Sequence, residues 1–143
     1  MTDDDMPADD TREPLDGQRE IGVLIVDDQP FFRSAALEVV GALPGFRAVA
    51  EASSGQEAVE AVGELHPELV LLDVRMPGMD GIEAARLIMA SHPSTVVVLI
   101  SIEDIAGVPS TARTCGAAAL VRKQDFGPAL LRDLWAVHGA PLG

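Results

Sequence analysis

"VLLDVRMPGMDG", residues 70–81, sets three apolar side chains in a row and then stops at a carboxylate, Asp73. Val70, Leu71 and Leu72 show no polar alternation, the pattern of a strand covered on both faces in a parallel sheet. Pro77, Gly78 and Gly81 then turn the chain. A core strand that ends on an acid poses the question of what the acid serves.

The pattern recurs along the chain. Short apolar runs stand at 22–26 (GVLIV), 46–51 (FRAVAE), 69–73 (LVLLD), 96–101 (VVVLIS) and 118–121 (AALV). Helical spacing fills the gaps. Phe32, Ala36, Val39 and Leu43 share a face, as do Ala58, Val59, Val62 and Leu65 behind a capping box of Ser54 and Glu57. Ile82, Ala85 and Met89 follow Asp80 as an N-cap, and a last helix runs from about Phe126 to His138 with Pro128 in its first turn. The segment "IEDIAGVPSTARTCG" carries Gly107 and Pro109 where a helix should be under way, so only a short helix from near Pro109 is expected. Five β-α units predict a five-stranded parallel α/β sheet with helices on both faces and right-handed crossovers.

The chain of 143 residues has room for one domain and a tail. Its net charge of −13 disfavours nucleic acid and anionic membranes as partners, since phosphates would be repelled. Residues 1–20 hold eight acids against Arg12 and Arg19 and no apolar block. They read as an acidic disordered tail, with residues 21–138 as the folded domain and 139–143 as a short C-terminal tail. No signal or transit pattern and no membrane-length apolar run is present, and a single cysteine, Cys115, fits a reducing compartment. A cytoplasmic protein is expected. His66, His92 and His138 show no metal spacing and are expected to face solvent.

Parallel α/β sheets place ligands beyond the carboxyl ends of their strands. There the first strand ends in Asp27 and Asp28, the third in Asp73, the fourth in Ser101 and the fifth in Lys123, the only lysine of the chain. Three carboxylates repel one another unless neutralised, and oxygen-only ligands suit a hard divalent cation, Mg²⁺ being the usual one. Asp27 and Asp28 could alternatively cap the helix that begins near Pro30, Asp73 could be a turn acid, and Lys123 a surface lysine.

"VDDQPFFR", "LLDVRMPGMDG", Ser101 closing an apolar strand and "GAAALVRK" together resemble the receiver domain of two-component response regulators, over about residues 21–138. The resemblance implies a flavodoxin-like (βα)5 fold. It also implies that Asp73 is the phosphoacceptor, taking a phosphoryl group from a histidine kinase. Asp28 and Asp73 would bind Mg²⁺ directly, joined by the backbone carbonyl of Arg75, with Asp27 acting through a metal-bound water. Lys123 would pair with the acceptor and then with a phosphoryl oxygen, and Ser101 would be the switch hydroxyl. Pro77 and Gly78 would shape the entrance, and Gly116 and Ala117 the turn before strand five. Chemistry would be confined to the chain's own phosphorylation and dephosphorylation, so it is not expected to be an enzyme in the wider sense.

Three features depart from the family's pattern. Leu120 stands where an aromatic usually follows the switch hydroxyl, Ile102 where a small residue is usual, and Gly107 and Pro109 interrupt the fourth helix. Ile102 and Leu120 thus mark an altered switch and output face, with the bulk of Ile102 narrowing the way to Asp73. Arg75 and Glu103, respectively two residues beyond Asp73 and Ser101, would flank the path of the dephosphorylating water; they read either as an ion pair that slows it or as two exposed charges of little consequence.

The first motif is similar to receivers joined to helix-turn-helix domains, yet only five residues follow His138. A stand-alone receiver or a fragment lacking its output domain is expected, acting through a downstream protein, with a homodimer possible. The rival reading is a pseudo-receiver whose switch is not driven by phosphorylation. An aspartate phosphatase would carry a second acid where Arg75 stands, and a flavin phosphate would be repelled by Asp27 and Asp28.

Overall fold

The computed structural model describes residues 20–139. Five strands, β1 (Ile21–Val26), β2 (Phe46–Ala52), β3 (Leu69–Asp73), β4 (Val96–Ser101) and β5 (Ala119–Arg122), form one parallel sheet in the order β2-β1-β3-β4-β5. Between and after them run α1 (Pro30–Gly41), α2 (Gly55–Leu65), α3 (Gly81–Ser91) and α4 (Pro128–His138). β3 is buried along its whole length and β4 likewise, as their unbroken apolar runs require.

Alternate residues of these strands feed two cores. Leu24, Val26, Val70, Leu72, Val97 and Leu99 pack with Ala58, Val62, Ile82 and Ile88 of α2 and α3. Val23, Ile25, Leu69, Leu71, Val98 and Ile100 pack on the other face with Ala36, Val40 and Leu131 of α1 and α4. Each fully buried Leu or Ile contributes about 1.5–3 kcal/mol relative to exposure, and both faces hold the strand ends rigid. In α1 the expected stripe of Phe32, Ala36, Val39 and Leu43 packs on this core, and Val40, fully buried, joins it.

The fourth connection carries the short helix expected from near Pro109, as a 3₁₀ turn over Ser110–Arg113, and a second 3₁₀ turn over Ile105–Gly107. Gly107 and Pro109 break the run too often for i→i+4 bonding to nucleate. The fold is thus the five-stranded parallel sheet with four α-helices among the described residues, and Val108, Ala112 and Cys115 of this segment join the core. Caps behave more nearly as expected. Asp80 accepts the N–H of Glu83 at 2.9 Å and Ser54 that of Glu57 at 3.1 Å. The reciprocal arm of the capping box is displaced, because the Glu57 carboxylate accepts from the backbone N–H of Ser53 at 2.8 Å. Residues 1–19 of the expected acidic tail, and 140–143, lie outside the described residues; Glu20 pairs with Arg47 at 3.1 Å.

α3 starts tight against the end of β3. Gly81 N–H donates to the carbonyl of Val74 at 2.8 Å, and a Cβ on Gly81 would overlap the Asp73 carbonyl oxygen and lie 3.0 Å from Val74 Cα. Rigid backbone on that side leaves no room to yield. Gly81→Ala is therefore expected to destabilise the fold by about 1–3 kcal/mol, read as a lower urea midpoint at unchanged slope.

Candidate functional site

The strand ends converge as the topology demands, because β1 and β3 are neighbours and β4 and β5 follow in order. Asp27 is fully buried just beyond β1. Its Oδ1 accepts the N–H of Gln29 at 2.8 Å, while the buried Oδ2 pairs with the Lys123 ammonium at 2.7 Å. Neither acid caps α1, whose N-cap is Gln29 with no side-chain bond and whose first turn opens on Pro30. That removes the capping alternative for the pair. Asp73, the last residue of β3, is 5% exposed, with its Oδ1 3.7 Å from Lys123 Nζ.

One carboxylate oxygen from each of Asp27, Asp28 and Asp73 lies within 4.8 Å of the others. The electrostatic strain shows in Asp73, whose carboxyl is pushed up to about 7, first by burial and then by the Asp27 charge beside it. Asp28 adds to the rise; Lys123 and the backbone N–H of Arg75 oppose it. An all-oxygen donor set of three clustered carboxylates with a surplus of negative charge over the one lysine fits a hard divalent cation.

Ser101 closes β4 at 1% exposure, and its Oγ accepts the N–H of Glu103 at 2.9 Å. A hydroxyl that accepts there still has its proton to donate. Arg75 and Glu103 do form the expected ion pair, Nε to Oε1 at 3.1 Å and Nη2 to Oε2 at 3.4 Å, and Arg75 also reaches the Gly107 carbonyl at 3.5 Å. Gly78 takes φ +75° in the turn after Arg75, which suits a residue without Cβ. Leu120 is partly buried against the α2–α3 core, whereas Ile102 is 71% exposed. The side chain of Ile102 thus projects into solvent. His66 and His138 are exposed as expected, but His92 is half-buried and its ring lies edge-on to that of His66, centroids 5.6 Å apart.

Two residues beside the site carried no signal of their own in the sequence. Arg33 of α1 donates from Nη1 to the Asp27 carbonyl at 2.6 Å and from Nε to Glu51 at 3.2 Å, anchoring the acidic loop. Phe32 lies under Lys123, whose ammonium stands 4.7 Å from the ring centroid. Phe32 read only as part of an apolar helix face; nothing in spacing tells which end of a sheet such a ring reaches.

An unfolded aspartate titrates near 3.8 and folded Asp73 near 7, so the folded chain holds this proton more tightly. Its contribution therefore penalises the fold increasingly as pH rises between those values, is complete above 7 and vanishes below 3.8. In metal-free solution Asp73→Asn is expected to raise the thermal midpoint at about pH 8, with the gain gone by about pH 4. A divalent cation should narrow the gap at the higher pH by stabilising the wild type.

A family model for the response regulator receiver domain matches residues 23–134. The chain is 36% identical over 103 residues to the response regulator GacA of Pseudomonas viridiflava, covering 72% of this chain and 48% of that protein. The chain spans about half or less of the length of the curated relatives it matches. Among solved structures it is similar to the response regulator domain of Thermotoga maritima CheB, with a TM-score of 0.76, 31% identity, and coverage of 86% of this chain and 99% of that one. It is also similar to a CheX–CheY–BeF3–Mg²⁺ complex from Borrelia burgdorferi, with a TM-score of 0.74, 28% identity, and coverage of 83% and 90%. Fold, strand-end acids and match agree: the chain belongs to the response regulator receiver domain family.

Proposed function

We propose that the chain is a phosphoacceptor receiver that takes a phosphoryl group from a histidine kinase onto Asp73. The observation that carries the reading is the near-buried Asp73 held between two further acids and the single lysine of the chain. An Asp73 oxygen attacks phosphorus, the P–N bond of the phosphohistidine breaks, and its electron pair returns to the imidazole. Attack needs the ionised carboxylate, so Lys123 and a bound cation both act against the forces that raise the Asp73 pKa. Asp27, Asp28 and Asp73, with the Arg75 carbonyl, are the groups to hold Mg²⁺, which when bound offsets charge on the transferring oxygens. Likeness to a CheY solved with BeF3 and Mg²⁺ supports that choice of ion.

Lys123 then follows the new charge onto a phosphoryl oxygen, and Ser101 donates its free proton to another. The protein is proposed to work in the cytoplasm and to catalyse nothing beyond its own phosphorylation and dephosphorylation. Among the described residues no helix is long and apolar enough to cross a membrane. Its output is proposed to pass through a downstream protein or an attached output domain, as the greater length of the relatives suggests.

The second reading, a pseudo-receiver that signals without phosphorylation, draws on Leu120 and on the 3₁₀ turns that replace a helix after β4. A leucine has no polar tip to exchange between buried and exposed states. Intact mass after incubation with acetyl phosphate and Mg²⁺ separates the two. A phosphoryl adduct that requires the ion and is lost in Asp73→Asn supports the receiver; no adduct under conditions that label a known receiver supports the pseudo-receiver.

The Arg75–Glu103 pair lies beside the route of hydrolytic water in this reading. Half-exposed pairs contribute under about 1 kcal/mol. Arg75→Ala is accordingly expected to speed decay of the phosphorylated form by roughly threefold, measured as loss of adduct after acetyl phosphate is removed. An unchanged decay rate would assign the pair no part in dephosphorylation.

A further inference from the structure

Lys123 has three N–H donors and meets three electron-rich groups. They are Asp27 Oδ2 at 2.7 Å, Asp73 Oδ1 at 3.7 Å and the face of the Phe32 ring at 4.7 Å. Among the described residues these three groups hold the ammonium at the end of a flexible four-carbon stem. Phe32 is itself fixed. It sits in the first turn of α1, packs against the α1–α4 core, and meets the Phe126 ring with centroids 5.9 Å apart at 53°. Phe126 follows Lys123 by three residues, so the ring contact ties Phe32 to the chain segment that carries the lysine.

We infer that Phe32 is a positioning residue for phosphoryl uptake, holding the Lys123 ammonium between Asp27 and Asp73 by a cation–π contact. The inference rests on the phosphoacceptor reading of Asp73. An aromatic face differs from a hydrogen-bond acceptor in having no single bonding direction. The ammonium can therefore slide across it from the Asp27 side, where it rests, toward the Asp73 side, where charge arrives. A carboxylate or carbonyl in the place of the ring would pin the lysine at its resting position. An aliphatic side chain would fill the volume and leave the head group without its third partner.

The contact separates chemistry from packing in a simple variant set. Phe32→Leu retains an apolar side chain of helix-compatible shape but no ring; Phe32→Tyr retains the ring face. Phosphoryl uptake from acetyl phosphate with saturating Mg²⁺ is followed by intact mass on all three proteins. The single lysine also gives one set of side-chain resonances, whose ε-methylene protons should be shifted upfield by the ring current of Phe32. The expected result is uptake roughly threefold to tenfold slower in Phe32→Leu, with the upfield shift lost, and both restored in Phe32→Tyr. Equal uptake by wild type and Phe32→Leu overturns the inference, as does a Phe32→Tyr protein as slow as Phe32→Leu. Wild type that takes up no phosphoryl group overturns the phosphoacceptor reading itself, and the inference with it.

Discussion

Three carboxylates share one end of the sheet with a single ammonium, and the surrounding structure is arranged around that imbalance. Asp27 is held without solvent, one oxygen bonded to the Gln29 N–H and the other facing Lys123. Such a group is costly to bury unless its charge is matched. The lysine is not enough for all three acids, and Asp73 registers the deficit as a carboxyl reluctant to ionise. A site with surplus negative charge on clustered oxygens is the kind that could hold a small multivalent cation. In the proposed reading, the energetic burden of the resting state is the same feature that would create affinity for the ion and for a phosphoryl group beside it.

That burden is supportable because the flanking backbone is over-determined. β3 enters the site buried on both faces, and α3 leaves it so closely that Gly81 has no space for a side chain. On the β1 side, Arg33 ties the Asp27 carbonyl to Glu51 at the edge strand β2. The acids cannot separate to relieve their repulsion without disturbing two cores. Preorganisation of this kind moves the cost of bringing charges together from the reaction to the fold.

Much of this was legible in residue order, and the boundary of legibility has physical causes. Unbroken apolar runs ending in Asp27, Asp73 and Ser101 located the site, because the carboxyl ends of parallel strands share one edge whatever the strand order. Asp80 was recognisable as a cap since its partner, the Glu83 N–H, is local. The segment after Ser101 announced through Gly107 and Pro109 that its helix would be short and start near Pro109, but not that it would be 3₁₀, which depends on what Val108 and Ala112 can bury. Phe32 and Arg33 escaped notice for another reason. Helical phase places them on a face, whereas their contacts arise from long side chains reaching across to other elements, a distance that no local pattern encodes.

The sheet is also unevenly clad. β3 and β4 are buried throughout, while every residue of β5 is only partly covered, with one edge unpaired and 3₁₀ turns leading into it. Strands with fewer buried neighbours open at lower free energy than the body of the protein. Lys123 is attached to that strand's end, immediately after Arg122. Local fraying of β5 would carry the ammonium away while leaving the acids in register on β1 and β3. In the proposed reading, competence for phosphoryl transfer would depend on the local stability of this partly covered strand and not on that of the whole domain, and anything that binds and covers β5 would raise it.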